Sequence, residues 1–125
     1  MAYETAFERA RKLCLRLPRV TERASHGSPG FFIDAKKPFV YFRNDHHGDG
    51  VVGMWCAAPE GAQTALLASD PEQYYRPAYV GGRGWIGVHL DKKPDWKTIT
   101  AIINDAYDAV APPRAPRTAP ARKQP

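Results

Sequence analysis

Two stretches of the chain spell GxGxxG: Gly48-Asp49-Gly50-Val51-Val52-Gly53 and Gly82-Arg83-Gly84-Trp85-Ile86-Gly87. In a dinucleotide site such glycines follow a strand and open a helix, so that the helix N-terminus meets the pyrophosphate. Here both run into strand-type alternation, and neither carries the Lys-Ser/Thr of a phosphate loop. They are expected to be turn glycines. The run Gly81-Gly82-Arg83-Gly84 allows one further chemistry, because successive N–H groups in a glycine turn can face an anion and Arg83 adds a forked donor. A tight entry into the strand, with Trp85 packed beside it, is the plainer reading and the favoured one.

His46, His47 and Asp49 carry metal-binding groups, with His26 elsewhere. Adjacent histidines in a turn seldom converge on one ion, so solvated loop residues are expected and no metal or other cofactor is assigned. Ser25 and Ser28 lack the strand–elbow–helix setting of a nucleophilic serine. Cys14 falls on an apolar helix stripe and reads as a packed thiol. The pairs Asp91/Asp95 and Asp105/Asp108 read as helix-entry or solvated positions. No acid, base or nucleophile has an identifiable partner, so the protein is expected to be non-catalytic.

The elements that must position these groups follow from periodicity. Residues 4–17 are predicted helical, with Phe7, Ala10, Cys14 and Leu17 on one stripe and Arg9, Arg11, Lys12 and Arg16 on the wet side. Short β-type runs follow at about 22–27, 30–34, 38–43 and 50–57, the last two joined by a hairpin through 44–50. Pro59–Ser69 is predicted as a short helix, Glu72–Tyr79 as an aromatic connection, and 84–90 as a fifth strand. A final helix over 95–110, capped by Asp95, presents Trp96, Ile99, Ile103, Ala106 and Val110. Residues 112–125, rich in proline and basic residues, read as a disordered tail behind a domain of residues 1–111. The fold class is α+β: a two-layer sandwich with both terminal helices on one face of an antiparallel sheet.

The net charge of +5 belongs mostly to the tail, where Arg114, Arg117, Arg122 and Lys123 have no acidic counterpart; residues 1–110 keep only +1. The near-neutral body gives little support to a basic DNA-binding surface. Two distant cysteines, no signal-peptide pattern and no long apolar run point to a cytoplasmic protein with no membrane partner. Nothing in the sequence bears on oligomeric state, and a monomer is favoured.

Strand alternation places Ile86, Val88 and Leu90 beneath the helices and Trp85, Gly87 and His89 on the other face. By the same rule Val52, Met54 and Cys56 oppose Val51, Gly53 and Trp55, while Val40 and Phe42 oppose Phe39, Tyr41 and Arg43. Tyr41, Arg43, Trp55, Trp85 and His89 therefore form an uncovered aromatic and basic face, with Tyr79 and Arg83 at its glycine turn. Rings with interspersed cations can stack bases and neutralise phosphates.

Several segments together resemble the MmcQ/YjbR-like family: Leu15-Arg16-Leu17-Pro18-Arg19-Val20-Thr21-Glu22, Ser25-His26-Gly27-Ser28-Pro29-Gly30-Phe31, Lys37-Pro38-Phe39-Val40 and Tyr79-Val80-Gly81 with Gly84-Trp85-Ile86-Gly87-Val88. Ser69–Tyr75 and Asp95-Trp96 extend the likeness, which covers about residues 4–112 and omits the tail. The resemblance implies a frataxin-like fold and the DNA-binding label that the family carries. Frataxin-type iron binding would need an acidic first helix, and here Glu4 and Glu8 are outnumbered by four basic residues. The expectation is weak, salt-sensitive DNA binding through the sheet face, with phosphate contacts from the tail. The alternative is a small-ligand or protein-binding module on the same exposed aromatic face, without nucleic acid.

Overall fold

The computed structural model describes residues 2–25, 27–44, 52–91 and 93–111. Helix α1 spans Ala2–Leu15. Ala6, Ala10 and Cys14 recur at four-residue steps and are buried, with Phe7 and Leu13 half-buried beside them. Pro18 bars continuation, and Arg19 turns the chain with φ 64° while its Nε donates to Asp34 Oδ1 at 2.7 Å.

Strands β1 (Val20–Ser25), β2 (Ser28–Ile33), β3 (Lys37–Asn44) and β4 (Val52–Cys56) form an antiparallel meander. After α2 (Ala62–Ser69), a two-residue strand β5 (Tyr74–Tyr75) takes the sheet edge, and β6 (Ile86–His89) inserts between β5 and β4. The six-stranded order is β1-β2-β3-β4-β6-β5. The aromatic connection expected at Glu72–Tyr79 thus contains an edge strand, too short for a periodic signal. The helix expected from Pro59 begins at Ala62, and the expected β1 and β2 boundaries shift by about two residues.

Helix α3 (Trp96–Val110) starts as expected: Asp95 accepts the N–H of Lys97 at 3.3 Å and the Thr98 hydroxyl at 2.7 Å. Its buried stripe is Ile99, Ile102, Ile103, Ala106 and Tyr107; Trp96 and Val110, expected in that stripe, are half-buried. Both α1 and α3 pack on one sheet face. Phe42 meets Phe7 of α1 edge-on at 4.8 Å, and Phe39 meets Tyr107 of α3 at 5.6 Å. Each such pair adds about 0.5–1.5 kcal/mol beyond burial.

Phe39 corrects the alternation argument, which put it on the far face with Tyr41 and Arg43. Phe31 pairs with Val40 but Phe32 pairs with Pro38, so Phe39 is the extra residue of a bulge. The bulge breaks the period of two and turns Phe39 toward Tyr107. Beyond it the alternation holds: Phe42, Met54, Cys56, Ile86, Val88 and Leu90 are all buried. The hairpin expected through 44–50, the histidine pair and His26 lie outside the described residues, as does the tail beyond 111.

Candidate aromatic and basic site

The far face is organised by one row of cross-strand neighbours. Gly30 of β2 pairs with Tyr41 of β3, Tyr41 with Trp55 of β4, Trp55 with Gly87 of β6, and Gly87 with Tyr75 of β5. Side chains in such a row share a face. The two glycines make room for the rings. A Cβ on Gly87 would lie 2.4 Å from the Tyr75 ring, and one on Gly30 would lie 3.0 Å from both the Phe32 and Tyr41 rings. Over Gly87 the flanking aromatics reach each other, and Trp55 Nε1 donates to the Tyr75 hydroxyl at 3.0 Å.

The remaining members close over this row. The Trp85 and Tyr41 rings stack with centroids 5.7 Å apart and planes 22° apart. Arg43 sets its guanidinium 4.0 Å from the Trp55 ring centre and donates through Nη1 to Ser28 Oγ at 3.2 Å. His89 leans on Tyr75 with ring centres 4.6 Å apart. Farther along, Arg23 covers Phe32 at 3.9 Å.

The structure therefore gathers Tyr41, Arg43, Trp55, Trp85 and His89 on one face, as alternation required, but it does not leave that face uncovered. Trp55 is 6% exposed, Trp85 4% and Arg43 6%; Tyr41 and His89 are half-buried. The expectation of an exposed aromatic sheet face is corrected for these central residues. Period-two patterning assigns a side chain to a face and carries no information on what its neighbours then cover.

Tyr79 and Arg83 lie at the accessible edge. Tyr79 is 81% exposed, with its ring centre 6.4 Å from that of Trp55. Its backbone, φ 63° and ψ −61°, is the centre of a γ-turn closed by Val80 N–H donating to Ala78 O at 2.6 Å. That conformation is strained for a residue with a Cβ, by roughly 1–3 kcal/mol. A 3-10 turn over Val80–Arg83 follows, ended by Gly84 at φ 86°. This is turn chemistry, not a helix opening onto a phosphate, so Gly82–Gly87 is no dinucleotide loop. Gln63 of α2 braces the turn by donating to Gly81 O at 2.9 Å and Trp85 O at 2.6 Å.

Two exposed guanidinium groups flank the turn. Arg83 lies 5.5 Å from the Trp85 ring centre. Arg76 donates to Gln63 Oε1 at 3.3 Å, and its Cγ lies 2.8 Å from where Gly81 would bear a Cβ. Arg76, Tyr75 and Phe32 were absent from the sequence-derived set. Tyr75 could have been found only from its register opposite Gly87, and Arg76 only from the loop's tertiary path. Elsewhere, burial pushes the Cys14 and Cys56 thiols well above the ordinary thiol range, so both stay protonated. Among the described residues no group of three or more His, Cys, Asp or Glu could hold a metal ion. No described helix is long and apolar enough to cross a membrane.

The fold and the chain both have relatives. The crystal structure of Deinococcus radiodurans protein DR2400, with a DUF419 domain, is similar to this chain with a TM-score of 0.68. The likeness covers 81% of this chain and 75% of that one at 15% identity, and so speaks for the fold. No curated protein matches the chain. The YjbR family model matches residues 15–109, from the end of α1 through most of α3. With three-quarters of its length matched, including both the glycine turn and the ring-bearing strands, the chain belongs to the YjbR family.

Proposed function

We propose that the protein is a non-catalytic domain that binds single-stranded DNA weakly, through the Tyr79–Arg83 rim. The observation that carries this reading is Tyr79, a large aromatic 81% exposed on a strained turn between two exposed arginines. A ring held out in this way can stack on a base, while Arg76 and Arg83 stand where adjoining phosphates would run. The buried rings behind it brace the rim and leave no flat platform for several bases, so affinity should be low and sequence-tolerant. The basic tail would add salt-sensitive contacts. Two buried thiols suit a reducing compartment, and we place the protein in the cytoplasm.

The test is a titration with single- and double-stranded oligodeoxynucleotides at two salt concentrations. It uses the full chain, a chain ending at Ala111, and the variants Tyr79→Ala and Arg83→Ala. Loss of one stacked base predicts a roughly tenfold or greater weakening for Tyr79→Ala on single strands. If binding ignores both substitutions and disappears with the tail, the folded domain does not read nucleic acid. The same rim would then be assigned to a small ligand or a protein.

A further inference from the structure

A separate surface lies between the two terminal helices. Arg9, Lys12 and Arg16, spaced three and four residues apart, point along one side of α1 toward Lys97 and Thr100 of α3. With Leu13 and Trp96 they line an open groove of about 380 Å³ in which, among the described residues, no carboxylate takes part. The four cations are exposed. Of the neighbouring acids, Glu8 faces Arg11 at 3.6 Å and Asp95 caps α3, while Asp91 lines the adjoining compartment. Beside it lies a second compartment of about 500 Å³, lined by Ala6, Leu90, Asp91, Lys93, Pro94 and Trp96. Arg9 and Trp96 belong to both compartments, the guanidinium carbon 4.7 Å from the ring centre.

Four cations converging on one groove repel one another, and an anion relieves that repulsion. The adjoining compartment offers apolar walls and an aromatic edge of a size that suits small ligands. We propose that the α1–α3 groove binds a small organic phosphate bearing a planar ring, of the nucleotide type. Its phosphates lie among Lys12, Arg16 and Lys97, and its ring lies in the apolar compartment beside Trp96 and Arg9. Lys12 and Lys97 act as point charges, and Arg16 supplies a forked donor. The site shares no residue with the Tyr79–Arg83 rim and does not depend on it.

Calorimetric titration of the full chain with ADP, adenosine and inorganic pyrophosphate tests the assignment. ADP is expected to bind about tenfold or more tightly than either fragment. Lys12→Gln/Arg16→Gln should weaken ADP about tenfold or more and leave adenosine unchanged. Both replaced side chains are exposed, so the fold, followed by far-UV circular dichroism, should persist. Trp96→Leu should weaken ADP and adenosine but not pyrophosphate; if it lowers the melting temperature sharply, the glutamine pair and the fragment comparison decide. The proposal is overturned if ADP shows no saturable binding, or if the glutamine pair binds it as well as the parent chain. Pyrophosphate matching ADP would also overturn it. Tyr79→Ala should leave ADP affinity unaltered, which separates failure at this groove from failure at the rim; a loss there would misplace the site.

Discussion

Phe42 and Trp55 sit on adjacent strands of the same sheet, facing opposite ways. Phe42 is buried because α1 lies over it, with Phe7 and Phe31 edge-on against its ring. Trp55 is buried by side chains of its own sheet layer: Arg43 on its ring, Tyr75 on its indole N–H, and Tyr79 at its margin. One face uses bulky residues under a helix. The other uses glycines as recesses in which rings lie along the strands. The second arrangement needs no extra layer, but every ring depends on its neighbour's position, and full exposure is left to the boundary. That is where Tyr79 and Arg83 are found.

The comparison is broken most directly by truncating each centre. Phe42→Ala and Trp55→Ala should each cost about 3–5 kcal/mol in denaturant unfolding. A cost below about 1 kcal/mol for Trp55→Ala would mean that the far face is surface and not core. Next in size, Gly87→Ala should destabilise by about 1–3 kcal/mol, because its methyl would enter the space of the Tyr75 ring. In a Tyr75→Ala background the same substitution should cost little; an undiminished cost there would remove the recess from the account.

Tyr79→Gly tests the boundary itself. Releasing the γ-turn strain should raise stability by about 1 kcal/mol, whereas Tyr79→Ala, which keeps a Cβ, should not. Equal behaviour of the two variants would show that the turn is unstrained. The smallest effect belongs to the helix-covered face. Asp95→Ala should lower the melting temperature slightly at neutral pH by uncapping α3. Hydrogen bonds from the Thr98 hydroxyl and then the Lys97 N–H hold the Asp95 carboxyl below its usual range. The contribution is therefore present above the ordinary aspartate pKa of about 3.9 and is lost as the pH falls through the lower folded value. A difference between variant and parent that grew on acidification would contradict this role.

Much of the helix-covered face could be read from the sequence because period signals are local. Cys14 on its helical stripe, Ile86 and Val88 on their strand, and Asp95 ahead of α3 each declare themselves within a few residues. Phe39 could not, since the bulge that turns it depends on how β2 pairs with β3. The far face was half legible for the same reason. Alternation put Trp55 and Trp85 there, but their burial depends on Tyr75, Arg43 and the two glycine recesses, which meet only after five strands have paired. The rim's geometry was hidden as well. Tyr79 was expected at a glycine turn, yet its γ-turn arises from the chain's return from the edge strand, and Arg76 from the same path.

The reach of Tyr107 bears on how the chain acquires this structure. Its hydroxyl donates to Pro18 O at 2.7 Å across a sequence separation of 89, and its ring packs on Phe39. The β1–β4 meander can pair through neighbouring segments, but its helix-side surface needs an element from each end of the sequence. Such distant closure is entropically slow and belongs late in the reaction. During synthesis, therefore, α1 and the ring-bearing strands emerge before α3, and the part of the helix-side surface around Phe39 stays open to chaperones or to misassembly until that last helix arrives.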